Sequence, residues 1–151
     1  MNDAMKGQAG TGLGFLLKAM ASGGLGVGIG HTLGLTIEAV EDGRVIISGI
    51  PAAVHANPMG SVHGGYLATL LDGAMALAVQ TRLDTGTRYA TTDLNIAYVK
   101  AVSPGQGVIR SAGTVLHIGR ILALAEAKVT DDSGTLYAHA TATFAVSERR
   151  P

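Results

Sequence analysis

The sequence has no cysteine and no tryptophan, and its 151 residues include only two phenylalanines and four tyrosines. The missing thiols exclude disulfides, a cysteine nucleophile and any zinc site that needs thiolate ligands. With so few aromatic rings, no aromatic cage for a substrate can be recognised.

Charge is scarce as well. Charged residues make up 15% of the chain, with 11 basic and 11 acidic side chains, whereas about a quarter is usual. No basic stripe suggests a nucleic-acid partner, and no run of charge suggests a tail. A surface with so few charges is most simply explained if other copies of the chain cover part of it. We therefore expect a homo-oligomer, with a weakly charged monomer as the alternative.

Long apolar runs are also missing. A membrane-spanning helix needs about 20 consecutive apolar residues, and no segment approaches this length. The apolar run at residues 13–17 is interrupted by Lys18 and is shorter than the roughly 7–15 residues of a secretory signal. We expect no membrane association and a cytoplasmic location. The histidines lack metal-binding spacing, so no metal site is expected at His31, His55, His63, His117 or His139.

Hydrophobic periodicity predicts two short strands, one buried helix and four long strands, in that order. The turns between the strands contain Asp-Gly, Pro-Gly or single glycine residues, and such short turns predict antiparallel neighbours. The order of elements therefore predicts an α+β fold in which one long antiparallel sheet wraps around a central helix. The predicted strands are 33–40, 44–50, 89–101, 106–117, 120–130 and 135–146, and the predicted helix is 66–80.

The N-terminal region has a different composition. Residues 12–21 favour a short helix, and residues 22–30 are rich in glycine. A dinucleotide-binding glycine loop must follow a strand and open a helix. Here no strand precedes the glycines and a β-type segment follows them, so we interpret them as a flexible connector. The predicted organisation is an N-terminal extension at 1–30 and a main domain at 31–151.

Asp72 is the only charged residue between Gly60 and Arg82. The predicted helix around it is apolar, and a buried carboxylate costs several kcal/mol unless it is paired or hydrogen-bonded. The helix contains no lysine or arginine that could form an i,i+4 pair with it. Asp72 is therefore either a functional carboxylate or one that nearby backbone amides satisfy.

Gly64 and Gly65 stand at the start of the same helix, where backbone N–H groups lack partners. Glycine lets a ligand approach the main chain closely, and the helix N-terminus favours negative charge. This arrangement has the outline of an oxyanion hole, although a plain glycine turn would look the same. Further along, Thr91 and Thr92 point to opposite sheet faces, so one hydroxyl can face the helix.

The pattern Asn57-x-x-Gly60-x-x-His63-Gly64-Gly65 followed by Asp72 closely resembles the hotdog-fold thioesterase superfamily, in particular its phenylacetate-pathway (PaaI-like) branch. Two downstream segments, 91–95 and 117–120, are also similar to that family. The resemblance covers roughly residues 33–146 and leaves the first 30 residues uncovered. It implies the hotdog fold, in agreement with the element order.

The resemblance also implies roles for individual residues. Asp72 matches the catalytic carboxylate, a nucleophile or a general base, and Gly64 matches the glycine whose N–H polarises the thioester carbonyl. Asn57 matches the residue that holds the carbonyl or the attacking water. His63 would brace the loop, and Thr91 matches a position that assists at the site in some members.

Gly119 and Arg120 match a region near the coenzyme A (CoA) nucleotide. By this resemblance the protein would hydrolyse acyl-CoA to free acid and CoA, without a metal or another cofactor, as a homodimer or homotetramer.

The spacing of the helix adds a geometric expectation. Gly64 and Asp72 are eight residues apart, which is about 12 Å along a helix. One chain cannot place both groups on the same carbonyl carbon, so the site is expected at a two-fold interface between chains. Two other functions remain open: a non-catalytic acyl-CoA-binding module and an enoyl-CoA hydratase or dehydratase. A hydroxylated aryl group and a short aliphatic group also remain open for the acyl portion.

Overall fold

The computed structural model describes residues 10–147, and in this range an antiparallel sheet of six strands wraps around one long helix, as the sequence predicts. The first nine residues of the predicted extension and the last four of the predicted main domain lie outside the described residues. The helices are α1 (Gly12–Ala21), α2 (Gly28–Thr32) and α3 (Gly64–Thr81), and a 3-10 turn spans Ala53–His55. The strands are β1 (Thr36–Glu41), β2 (Arg44–Gly49), β3 (Arg88–Tyr98), β4 (Ile109–Ile118), β5 (Leu122–Asp131) and β6 (Leu136–Ser147).

The strand order is β1-β2-β4-β5-β6-β3. The hairpins β1–β2, β4–β5 and β5–β6 confirm the predicted antiparallel neighbours, but the prediction that Pro104-Gly105 joins neighbouring strands is wrong. The segment that contains this turn is bound elsewhere: Val62 N–H donates to Val102 O at 2.9 Å and Gly105 N–H donates to Pro51 O at 2.8 Å. Val102 is buried at 1% exposure. The chain therefore crosses the end of the sheet, and β3 becomes the strand at the far edge.

Helix α3 forms the centre of the core. One face packs on the sheet, and a Cβ added at Gly113 of β4 would lie 2.4 Å from the backbone carbonyl of Ala74. The helix therefore rests directly on the strand. Its opposite face is less covered, because Asp72, Gly73 and Ala76 are only half-buried. The expectation of a helix buried on every side is wrong for this face. The apolar residues that recur at helical spacing on the packed face are all buried: Leu67, Leu70, Leu71, Ala74, Met75 and Ala78.

The N-terminal region packs against this structure. Helix α1 forms where predicted, and its Leu16 is fully buried in the common core. Residues 22–35, which we call the glycine-rich cover, do not form a simple connector, since they include α2. Glycines of the cover, such as Gly24 with φ of 109°, adopt positive φ angles that other residues avoid. These glycines let the cover curl over the exposed side of α3.

Strand β3 pairs with β6 along one side and forms the edge of the sheet. Its register shifts between Thr91 and Asp93, where Thr92 is the extra residue of a β-bulge. Thr91 lies opposite the buried Phe144, but after the bulge Tyr98 lies opposite the buried Ala138. The positions that face α3 therefore change from odd to even numbers along this strand.

Candidate active site

Asp72 meets the edge strand in the middle of α3. The Thr91 hydroxyl donates a hydrogen bond of 2.8 Å to Asp72 Oδ1. The Thr92 hydroxyl points away and donates to Thr143 O at 3.2 Å, which confirms that one of the two threonines faces the helix. Within residues 10–147 no basic side chain forms an ion pair with Asp72. A half-buried carboxylate is thus held by a single hydroxyl.

Tyr89 lies beside this carboxylate, and sequence reasoning missed it. Burial raises the pKa of Tyr89 to about 12, and the negative charge of Asp72 contributes to the same shift. Its hydroxyl donates to Gln80 Oε1 at 3.0 Å. The phenol therefore stays neutral at ordinary pH, and its hydroxyl bonds near the C-terminal end of α3 rather than to Asp72.

His63 caps the start of α3. Its imidazole Nδ1 accepts a hydrogen bond of 2.8 Å from Gly65 N–H, and its backbone N–H donates to His55 O at 2.8 Å. The cap uses the N–H of the second glycine. None of the hydrogen bonds among the described residues uses the N–H of Gly64, and α3 offers that group no acceptor of its own.

Tyr98 fixes the position of Gly64. Its hydroxyl donates to Gly64 O at 2.9 Å, and a Cβ at Gly64 would lie 3.1 Å from the Tyr98 ring. A side chain at this position would therefore crowd the ring. A cavity of about 290 Å³ lies against Gly64, and Tyr98 and Lys100 also line it. A carbonyl group could approach Gly64 from this cavity.

Asn57 shapes the loop that leads to the helix. Its Oδ1 accepts from Met59 N–H at 2.9 Å, and its Nδ2 donates to Ser61 Oγ at 3.0 Å. The loop therefore occupies both polar atoms of the amide. Gly64 and Asp72 both belong to α3 and are about 12 Å apart along its axis, so within one chain they do not meet at a common carbon.

Gly119 and Arg120 form the turn between β4 and β5. Gly119 N–H donates to Leu122 O at 2.8 Å, and Arg120 is exposed. Both Leu122 and Ala90 lie opposite Ala145 of β6, so this turn is at the end of the sheet where β3 begins. Gly64 contacts the other end of β3 through Tyr98. Within one chain, the turn that contains Arg120 and the glycine at the start of α3 therefore lie at opposite ends of β3.

No group of three or more histidine and acidic side chains within residues 10–147 is placed to hold a metal ion. None of the helices in the same range is both long and apolar enough to cross a membrane.

The family model described as "Thioesterase superfamily" matches residues 59–138, which include His63, Gly64, Asp72 and Thr91. The chain belongs to the thioesterase superfamily. The model begins two residues after Asn57 and does not include the glycine-rich cover.

Individual proteins that are similar to this chain support the same family. A candidate esterase of Halobacterium salinarum is 33% identical over 72% of this chain and 74% of its own length. A 1,4-dihydroxy-2-naphthoyl-CoA hydrolase of Listeria monocytogenes is 25% identical over 82% of this chain and 99% of its own length. A solved structure of a phenylacetic acid degradation-related protein of Ralstonia eutropha is 28% identical, with a TM-score of 0.75 over 86% of this chain and 98% of that one.

These likenesses confirm the hotdog fold, the resemblance to the PaaI-like branch and the expectation of a thioester hydrolase. The roles of the individual site residues stay predictions.

Proposed function

We propose that this thioesterase hydrolyses acyl-CoA to a free acid and CoA, with Asp72 as the catalytic carboxylate. The observation that carries the proposal is the state of Asp72: half-buried, without an ion pair in the described chain, and held by the Thr91 hydroxyl. A carboxylate that served only to stabilise the fold would be expected to have a cation or several backbone donors around it. The name of the Listeria relative supports a CoA thioester as the substrate.

In the proposed mechanism, Asp72 removes a proton from water, which adds to the thioester carbonyl carbon, or attacks that carbon itself. The backbone N–H of Gly64 stabilises the oxyanion that forms, and the α3 N-terminus favours this charge. The C–S bond then breaks, and the CoA thiolate leaves and takes up a proton, which protonated Asp72 returns when Asp72 has acted as the base. When Asp72 has attacked directly, the acyl group stays on its carboxylate as an anhydride, which water hydrolyses to release the acid and restore Asp72. Thr91 orients the carboxylate, and His63 holds Gly65 so that the N–H of Gly64 remains available. These steps use only protein groups and water.

The test of this function is release of free thiol from a panel of acyl-CoA thioesters by the wild-type protein. We expect saturable release of thiol, and hydration of an enoyl-CoA should not be detected. Binding of acyl-CoA without thiol release would instead identify a binding module. Hydration of the enoyl-CoA without thiol release would identify a hydratase.

We further propose that each active site is shared by two chains, in a cytoplasmic homodimer or homotetramer. The separation of Gly64 and Asp72 by about 12 Å along one helix supports this, as does the separation of Gly64 from Arg120 within one chain. Within residues 10–147, strand β3 also presents an unpaired edge, and its residues from Thr91 to Asn95 are exposed. Such an edge is a template for pairing with another strand, and β3 of a second copy is the proposed partner.

Subunit complementation tests the shared site. Inactive Asp72→Ala and inactive Gly64→Pro chains are unfolded together and refolded as a mixture. A mixed dimer with shared sites would hold one site with both defects and one site with neither, because a two-fold interface is symmetric. With random pairing, activity should return to roughly one quarter of wild type. Mixed dimers that form without activity would place all the groups in one chain.

At the other end of the substrate, Arg120 is proposed to bind a phosphate of CoA. Arg120→Ala should raise the KM for acyl-CoA by roughly 10-fold, because a lost phosphate contact weakens binding more than it slows the reaction. Lys128→Ala, which also removes an exposed cation from a strand, is the control. An equal loss with a short thioester that lacks the nucleotide would contradict the assignment.

A further inference from the structure

A second cavity lies on the less covered side of α3, beneath the glycine-rich cover. Its volume is about 280 Å³, close to the lower end of the range for small-molecule sites. The helix contributes Thr69, Gly73, Ala76 and Leu77 to its wall, and the sheet contributes Ile47 among others. The cover closes it from above. The family model begins only at residue 59, so the roof of this cavity is a feature outside that match.

Glycine at position 73 lets the helix approach the sheet closely at the wall of this cavity. A Cβ at Gly73 would lie only 3.0 Å from Ile47 Cδ1. Above it, the cover places apolar side chains that remain largely exposed: Val27 is 75% exposed and Ile29 is 64% exposed. Apolar groups that surround an empty apolar space gain stability when an apolar group fills that space.

The lining offers little to a polar ligand. Among residues 10–147, it contains no Asp, Glu, Lys or Arg side chain and no aromatic ring other than the imidazole of His31. The Thr69 hydroxyl already donates to Gly65 O at 2.9 Å. A ligand hydroxyl buried among these side chains would lose its hydrogen bonds to water at a cost of about 1–3 kcal/mol. The chemistry of the cavity therefore fits an aliphatic chain better than a hydroxylated ring.

The cavity is adjacent to the proposed catalytic carboxylate. Thr69 lies three residues before Asp72 and Ala76 lies four residues after it, so both are its neighbours on the surface of the helix. Gly73 follows Asp72 directly. When the carbonyl group of a thioester lies next to the Asp72 carboxylate, its acyl chain therefore needs to pass only Thr69 or Ala76 to enter the cavity.

We propose that the cavity under the glycine-rich cover binds the acyl chain of the substrate, and that it selects aliphatic acyl groups of medium length over acetyl and hydroxylated aryl groups. The inference rests on the proposed hydrolysis of acyl-CoA and names the class of acyl group. The cover then acts as the specificity element of this chain, while Asp72 and Gly64 carry the reaction.

The first experiment fills the cavity. The kcat/KM of the full-length protein is measured with acetyl-CoA, octanoyl-CoA and para-hydroxybenzoyl-CoA, and wild type should prefer octanoyl-CoA. Ala76→Leu adds bulk inside the cavity and should lower the ratio of octanoyl-CoA to acetyl-CoA activity by roughly 10-fold or more, which is the discrimination that one or two methylene groups produce in an apolar pocket. Ala21→Leu makes the same change at an exposed helix position that does not line the cavity, and it should leave the ratio unchanged.

A second variant covers the case in which Ala76→Leu does not fold. Ile29→Asp places a carboxylate in the roof of the cavity at an exposed position and should lower the same ratio. Val54→Asp, at 85% exposure and outside the cavity, is its control. Thiol release that falls equally for all acyl groups in both cavity variants would overturn the inference and leave the proposed hydrolysis intact. A wild-type preference for para-hydroxybenzoyl-CoA would do the same, whereas no hydrolysis of any thioester by wild type would overturn both.

Discussion

The middle of α3 and its first turn are organised in opposite ways. In the middle, Asp72 receives one hydrogen bond from the described part of the chain, and it comes from Thr91 on another element. At the first turn and in the loop before it, the polar side chains form local hydrogen bonds: Asn57 bonds to Met59 and Ser61, and His63 bonds to Gly65. The first region leaves a carboxylate with unused hydrogen-bonding capacity. The second holds a rigid loop that presents one backbone N–H. We therefore expect mutations in the middle to affect the reaction itself and mutations in the loop to affect positioning.

The largest effect should come from Asp72→Asn. The amide preserves the shape and can still accept the Thr91 hydrogen bond, but it can neither accept a proton from water nor attack a carbonyl. We expect kcat to fall by about 10³-fold or more, within the range for removal of a catalytic acid–base group. Measurement of thiol release, with circular dichroism to confirm the fold, checks this. Asp84→Asn at an exposed turn is the control, and near-wild-type turnover by folded Asp72→Asn would falsify the role.

Asn57 should give the next largest effect. Asn57→Ala removes both hydrogen bonds that shape the loop, and we expect turnover to fall by about 10²-fold, as for loss of one orienting donor. Asn57→Asp separates two explanations, because it can still accept from Met59 N–H but has no N–H₂ donor. If the aspartate variant keeps full activity, loop shape is the contribution of this residue. If it is as poor as the alanine variant, the amide donor acts on substrate or water.

A smaller effect is expected at Thr91. Thr91→Val keeps the shape of the side chain and removes the hydroxyl that orients Asp72, and we expect kcat to fall roughly 10-fold with little change in KM, as for one hydrogen bond to a charged group. Thr91→Ser should restore most of the activity. Thr92→Val, whose hydroxyl faces the other side of the sheet, is the matched control. Equal losses in the two valine variants would indicate a general effect on the strand.

The smallest effect is a change in titration. Burial is the main cause that raises the pKa of Tyr89 to about 12, and the charge of Asp72 is the second. Asp72→Asn should therefore lower the pKa of Tyr89 only slightly, which NMR of ring-labelled tyrosine can follow. Because the folded pKa lies above the ordinary value of 10.0, the unfolded phenol ionises first. The contribution of Tyr89 to the free energy of unfolding should therefore be complete below about pH 10 and should fall as the pH rises toward 12. In Tyr89→Phe this decrease between about pH 10 and 12 should be absent.

Several features were readable from the sequence for definite physical reasons. Asp72 could be selected because a lone charge in an apolar helix is costly, and Gly64 because a helix start with glycine exposes its N–H groups. Tyr89 and Tyr98 could not be selected. Their contacts require β3 to lie at the far edge of the sheet, and strand pairing across long sequence separations is not set by local turns. The glycine-rich cover was missed because glycine has no strong local preference, so the structure of this segment depends on packing against α3.

The bulge at Thr92 lets two side chains at an odd separation serve the same face of β3. With the extra residue, Thr91 reaches Asp72 and Tyr98 reaches Gly64, although the two positions are an odd number of residues apart. Deletion of Thr92 would make this separation even, and simple alternation would then still turn both side chains toward the helix. The partners of Thr91 and Tyr98 on β6 would also stay the same, because Thr92 has no partner in that register. During divergence of the chain, this strand should therefore accept the loss of its one extra residue more readily than the loss of a paired one.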